Sequence, residues 1–366
     1  MRFMRSDSRQ ADAFKMPASH RRILLSAFLS IGLLSTPSRA NAQRASSTTW
    51  YVTIVMPPKV VAGHPATLAI LGADGRLAQN VSVVIGEGQT LKTDATGRAS
   101  FTAPATPGIL FAEASGASAV TLIDESPVPG AQTAKEELAV AAVISLKDRF
   151  TICGGGFRGD ADANRVTMNG DRALVVASSP ECLVVLPSPR ATPGAAKLTV
   201  DSAGSDRNTT TTLVSLQFEA PQIAPVPGER SNLTVHVEGT DAALNVTIQN
   251  ETPGVLEFLK GDTQEVRTTG GSRNVAEVQI SAIRSGDYSF SARLIPSPDL
   301  AAAVRYLRAA GPLAPKTLRH RVNDAASRLA THPKDREKVR LDLAKMISNT
   351  IAGHLRVLLE AAQAAI

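Results

Sequence analysis

The sequence predicts a mainly β protein, with tandem small β-sandwich domains followed by a C-terminal α-helical segment. Two observations predict it. From residue 50 to 296, short apolar runs alternate with turn signals at the spacing of antiparallel strands. After Ser297-Pro298 the apolar residues recur at three- and four-residue steps, the period of a helix face.

Residues 1–42 read as a secretory leader. Arg21 and Arg22 precede a short apolar run from Ile23 to Ser35, and Ala40 and Ala42 occupy the small-residue positions of an A-x-A cleavage site. The run is shorter than the roughly 20 residues that span a bilayer. The expectation is therefore a chain exported to the periplasm, cell surface or medium, with no transmembrane anchor after cleavage. The leader carries seven of the 39 Lys/Arg and two of the 33 Asp/Glu, so a formal +6 falls to +1 in the mature chain. That balance gives no support to a nucleic-acid partner. The charge is unevenly placed: residues 299–366 hold 12 Lys/Arg against six Asp/Glu, whereas 43–298 carry a net −5.

The strand pattern divides the body into three. Residues 43–125 contain WYVTIVM, ATLAILG, NVSVVIG, RASFTAP, ILFAEAS and AVTLID, with turns at Asp74-Gly75 and Thr96-Gly97. The Pro-, Gly- and charge-bearing stretch 126–139 reads as a linker. A second strand set occupies 140–218 and a third 219–296, the latter with LTVHVEG, LNVTIQN, AEVQISAI and YSFSARLI. Each set has the size of one Ig-like domain. Cys153 and Cys182 fall in the second. An oxidising compartment favours a bridge, worth roughly 3.5 kcal/mol by chain entropy. Strand alternation sends Ile152 and Leu183 to the core and both cysteines away from it, which permits pairing and leaves two free thiols as the alternative.

Two stretches resemble known families. TICGGGFRGDADANRVTMNGDRALVVASSPECLVVLPS, followed by PGAAKLTV, resembles an IPT/TIG domain, an Ig-like family. The features that carry this are a Gly155-Gly156-Phe157 turn, an Asn169-Gly170 hairpin and a strand ending at Pro187. The two cysteines and the shortened first strand depart from that family. Residues 62–108, with TDATGRASF at their centre, resemble bacterial Ig-like repeats of the invasin/intimin type and also carboxypeptidase-regulatory-like domains. Both resemblances imply spacers or binding modules.

In the tail, Ser297 is expected to cap a helix with Pro298 at its first position, running to Gly311. A second helix is expected over 316–330 and a last one from Pro333. In that last helix Val339, Leu343, Ile347, Ile351, Leu355 and Leu358 form one apolar stripe opposite Lys338, Arg340, Lys345 and Arg356. The expected place of this unit is against itself or the third sandwich, with docking to a partner or an acidic surface as the alternative.

The search for chemistry returns little. The G-x-G-x-x-G from Gly154 to Gly159 leads into a strand, where a dinucleotide site requires a helix. His64, His236, His320, His332 and His354 are scattered over different segments without metal-ligand spacing. Asp160, Asp162 and Asn164, with Asp171 beyond, place oxygen ligands at alternate positions as Ca²⁺ requires. Arg165 stands where the sharp turn needs glycine, so a solvated loop is the preferred reading. No cofactor and no catalytic residue is expected. One Trp and three Tyr offer few stacking platforms for sugars. The expected function is an exported, non-catalytic Ig-like protein acting in protein binding, adhesion or envelope assembly. A carbohydrate- or matrix-binding accessory protein is the alternative, and an unrecognised enzyme ranks third.

Overall fold

The computed structural model describes residues 52–126, 137–202, 204–219, 226–259, 261–351 and 353–366. The expected leader, Trp50 and most of the 126–139 linker lie outside them. The architecture is tandem Ig-like β-sandwiches followed by a helical segment.

Strands β1 (Thr53–Val55), β2 (Lys59–Val61), β3 (Pro65–Leu71), β4 (Ser82–Ile85), β5 (Gln89–Lys92), β6 (Arg98–Thr102), β7 (Gly108–Ala114) and β8 (Ala117–Asp124) build the first sandwich. One sheet runs β1-β3-β6 and the other β2-β8-β7-β4-β5, with β2 parallel to β8. Leu68, Ile70, Val83, Ile85, Phe101, Leu110 and Ile123 meet between them, each contributing about 1.5–3 kcal/mol by leaving water. The turn before β6 is fixed by Asp94, whose carboxylate accepts from the Thr96 N–H and hydroxyl, both at 2.7 Å, and from the Arg98 N–H at 3.1 Å. Gly97 completes it at φ +73°, where a side chain would be strained and would strike Leu77.

The second sandwich comprises β9 (Ala139–Val140), β10 (Val143–Ser145), β11 (Phe150–Cys153), β12 (Asn164–Met168), β13 (Asp171–Ser178), β14 (Cys182–Leu186), β15 (Gly194–Ser202) and β16 (Ser205–Glu219). β13 serves both sheets, pairing first with β12 and then with β14, with a bulge between Val175 and Ala177. Asn169 and Gly170, both at positive φ, join β12 to β13 as a two-residue hairpin.

β16 is shared with the third sandwich. Its first part pairs with β15 up to Leu213, and from Ser215 it pairs with β17 (Arg230–Glu238). Leu213 enters the second core, whereas Val214, Leu216 and Phe218 enter the third. Residues 214–218, expected with the second set, thus belong to the third core, because the two faces of one extended strand supply different interiors. β18 (Asn245–Asn250), β19 (Leu256–Phe258), β20 (Thr263–Arg267), β21 (Val275–Ala282) and β22 (Phe290–Leu294) complete it, in sheets β16-β17-β21-β19 and β20-β18-β22.

The tail forms α1 (Leu300–Leu313), α2 (Lys316–Thr331), α3 (Arg336–Ser348) and α4 (His354–Ala364). Three expectations need correction. The N-cap is Asp299, not Ser297: its side chain accepts from the Ala302 N–H at 2.9 Å. The long last helix is broken at Asn349–Gly353, so Ile351 leaves the apolar stripe for solvent. The helical unit packs on the first sandwich as well as on itself. Leu307, Val322, Val339, Leu343 and Leu358 share a core with Leu122, against which Ile109, Phe111 and Val120 also pack. β7 and β8 are consequently apolar on both faces, with Leu110 and Ile123 inward and Ile109, Phe111, Val120 and Leu122 toward the helices.

Ion pairs reinforce this contact. Arg305 pairs with Asp124, and the His354 ring stacks on Phe111 with centroids 3.9 Å apart while lying 3.0 Å from Glu113; Arg340 reaches the third sandwich instead, pairing with Glu265 of β20. In each case the basic partner sits on the tail and the acid on the body.

Candidate functional site

Three of the four residues singled out as oxygen ligands, Asp160, Asp162 and Asn164, lie beside the joint between the first two sandwiches. Asp160 caps a single turn of 3-10 helix, Ala161–Ala163, by accepting from the Asp162 N–H at 3.0 Å. Asn164 is buried and saturated. Its amide donates to the carbonyls of Arg158 and Asp160, both at 2.8 Å, and to Ser178 Oγ, while its oxygen accepts from the Arg158 N–H and Ser202 Oγ. Asp162 pairs with Arg98 of the first sandwich at 2.9 Å. Asp171 stands at the far end of β12 from Asn164, about 13 Å of strand away. Among the described residues no group of three or more His, Cys, Asp or Glu is placed to hold a metal ion.

Arg98 is the centre of that joint. Its side chain is 7% exposed and crosses to the second sandwich, donating to the Val175 carbonyl at 2.6 Å as well as to Asp162. Around it, Thr67 donates to the Gly159 carbonyl and Ser179 to the Lys59 carbonyl, both at 2.7 Å. Thr67 and Ser178 form a single β-bridge between the sandwiches. Val55, Ala69 and Leu71 from one side meet Val176, Ala177 and Val184 from the other in a separate apolar seam. Gly159 lies so close that a Cβ would stand 2.1 Å from the Pro65 carbonyl oxygen.

Cys153 and Cys182 face each other across β11 and β14 and are bridged, with Cα atoms 4.2 Å apart. Ile152 and Leu183 point into the core beside them. The neighbouring Gly-Gly-Phe turn is pinned by Arg207, which donates to the Gly154 carbonyl at 2.6 Å and lies 4.5 Å above the Phe157 ring. The histidines stay apart: His64 lies near Ser126, His236 pairs with Glu219, and His332 sits by Thr331.

A cleft of about 760 Å³ opens at one end of the first sandwich. Ile85, Phe101, Leu110 and Ile123 form its floor, and Glu87, Gln89, Thr102 and Thr106 supply polar groups at its edge. Pro104 and Pro107 stiffen the loop beside it. Sequence reasoning missed this cleft, since its residues come from five strands and the loops between them and no local motif marks it. A second, smaller cleft of about 530 Å³ lies at Val237–Asp241 and Gly271-Ser272, next to the joint between the second and third sandwiches.

No protein-family model and no curated protein matches the chain. Among solved structures it is similar to the plexin A4 extracellular region, at 15% identity over 70% of this chain and 24% of that one, with a TM-score of 0.27. It is similar also to the Bacteroides ovatus mixed-linkage glucan utilization locus protein SGBP-B in complex with a mixed-linkage heptasaccharide (12% identity, 65% and 72% covered, TM-score 0.24). A third is invasin, a bacterial integrin-binding protein (17%, 67% and 57%, 0.18). The chain spans about a quarter of the plexin region it matches. The class defined by the fold is a tandem Ig-like sandwich protein with a helical C-terminal unit. Similarity at these identities concerns that fold alone.

Proposed function

We propose that this chain is an exported, non-catalytic binding protein whose linked sandwiches form a fixed frame for protein binding, adhesion or envelope assembly. One observation carries the reading. Of the residues that offered themselves as a cation site, Asp162 is paired with Arg98 across the joint between two sandwiches, and Asn164 is saturated by bonds within the second sandwich. The Cys153–Cys182 bridge supports an oxidising compartment. We read the second sandwich as IPT/TIG-type, on its positive-φ Gly155 and Gly156, buried Phe157 and Asn169-Gly170 hairpin.

The cleft of the first sandwich is the surface we assign to the partner. An apolar floor with a sparse polar edge suits a segment of another protein. Its two aromatic rings are Phe101, buried in the core, and Phe111, stacked on His354, which weighs against the polysaccharide alternative. The test is crosslinking from the native envelope with residues 43–366 and with Thr106→Trp, an exposed position that narrows the mouth without touching the core. The expected result is one crosslinked protein, lost in the variant. Equal capture by both rejects the cleft, and retention on envelope polysaccharide without any protein would replace this reading by the carbohydrate one. A chain ending at 296 is unsuitable, because it bares Ile109, Phe111, Val120 and Leu122.

A further inference from the structure

One end of the helical unit collects exposed aliphatic side chains and an excess of positive charge. The Asp299 N–H donates to the Ala365 carbonyl at 2.8 Å, placing the end of α4 beside the start of α1. Arg328 of α2 pairs with Asp342 of α3 at 2.8 Å, so neighbouring helices run antiparallel. The α1–α2 turn and the α3–α4 loop therefore lie at the same end. The first presents Leu313, 51% exposed, and the second Ile351, 89% exposed. Neither belongs to the core shared with the first sandwich.

Charge gathers at the same place. Six tail cations form no ion pair among the described residues, and four of them, Lys316, Arg319, Arg321 and Lys345, lie toward this end; Arg308 sits within α1 and Lys334 at the opposite end, between α2 and α3. Three of the unpaired six fall within the first six residues of α2, and Lys345 lies in the last turn of α3. Arg319 closes the turn by donating to the carbonyls of Gly311, Pro312 and Ala314. α2 starts with neither a side-chain cap nor an acidic residue in its first turn. Cations at that pole oppose the helix dipole, so their placement works against the helix that bears them.

The geometry points to this end of the helical unit as a peripheral contact for an anionic lipid surface. Aliphatic tips enter the headgroup boundary while lysine and arginine meet lipid phosphates. Lipid is favoured over an acidic protein because Leu313 and Ile351 project from turns, and the two clefts described above lie elsewhere. A fluid interface admits such tips without a matching concavity. No helix among the described residues is long and apolar enough to cross a membrane, so the contact is superficial. It stands whichever partner the cleft takes.

The test is sedimentation of residues 43–366 with vesicles of phosphatidylcholine, alone or mixed with phosphatidylglycerol. Binding is expected only to the mixed vesicles and is expected to weaken with salt. Each basic residue near an anionic surface contributes roughly a fivefold change in partitioning. Lys316→Glu with Lys345→Glu should therefore reduce binding more than tenfold, and Leu313→Ser with Ile351→Ser should also reduce it. Val226→Ser, at an equally exposed aliphatic on the body, should leave it unchanged. All of these positions are exposed, so unchanged melting curves exclude misfolding as the cause. Equal binding to both vesicle types, or variants that bind like the parent, would overturn the inference. Failure to sediment together with retention on an acidic polypeptide would overturn it in favour of a protein.

Discussion

The two joints between neighbouring sandwiches are built in opposite ways. The first is made of side chains drawn from 64 to 120 residues apart, with Arg98, Thr67 and Ser179 reaching across to carbonyl groups over an apolar seam. The second is made of backbone, since β16 passes from one ladder to the next without interruption. A side-chain joint can open while both sandwiches survive. A shared strand cannot leave either sandwich without removing one of its edges. The difference implies that any hinge in the body lies at the first joint.

Matched substitutions at the two glycines separate these cases and should produce the largest effects. In Gly159→Val the new Cβ meets the Pro65 carbonyl oxygen at 2.1 Å, and in Gly239→Val it meets the Leu213 oxygen at 2.2 Å with φ at +101°. Overpacking commonly costs about 1–3 kcal/mol, and approaches this short to backbone fall at the top of that range. Gly159→Val should split thermal unfolding into two transitions as the first sandwich parts from the second. Gly239→Val should lower one shared transition. Calorimetry decides, and a single depressed transition for both variants would mean that the joints are energetically alike.

Arg98 is expected to matter less, and unevenly. Arg98→Met keeps the stem but strands the Val175 carbonyl, a loss of roughly 1–3 kcal/mol. Asp162→Asn breaks the same ion pair from its solvent side. Asp162 is 65% exposed, so that loss should stay within about 1 kcal/mol. Denaturant midpoints of the two variants give the comparison directly. Equal losses would show that the charge pair, rather than the carbonyl contact, holds the joint.

Each joint also differs in how far it could be read from sequence. The turns at Thr96-Gly97 and Asn169-Gly170, the long strands and the presence of a helical tail follow from local chemistry, whereas the tail's first cap and the break in its last helix do not appear where the pattern puts them. The short strands β2, β5, β19 and β20 carry too few apolar residues to show a period. The first joint was hidden because Gly159 and Asp162 belong to a local run but find their partners, Thr67 and Arg98, in another sandwich. Ligand-like spacing in DADAN therefore reported a cap and a crossing ion pair. The continuous apolar stretches ILF and VTLI did carry a signal: strands apolar on both faces need cover on both. That signal would have placed the helical tail on the first sandwich. The second joint was legible in TTLVSLQFE, where Leu213 and Val214 break the alternation at the point where the strand changes cores.

Acid offers the gentlest way to distinguish the joints. Burial works to raise the Asp94 carboxyl pKa, but hydrogen bonds from Thr96 and Arg98 outweigh it and hold the value below the ordinary 3.8. A depressed folded value means that Asp94 contributes stability above the unfolded pKa and loses it as pH falls through the folded one. The turn it fixes is the one that presents Arg98 to the second sandwich. Mild acid should therefore loosen the first joint; at the second, the titratable side chains Glu219, His236 and Glu238 lie on the exposed side of the β16–β17 ladder, whose backbone bonds do not themselves titrate. Asp94→Asn should be less stable than the parent near neutrality, and the difference should shrink below about pH 4 as the parent's carboxylate protonates. Unfolding midpoints of both proteins between pH 7 and 3 provide the check. A difference that stays constant across that range would mean that the turn holds Arg98 by its shape alone, without help from the carboxylate's charge.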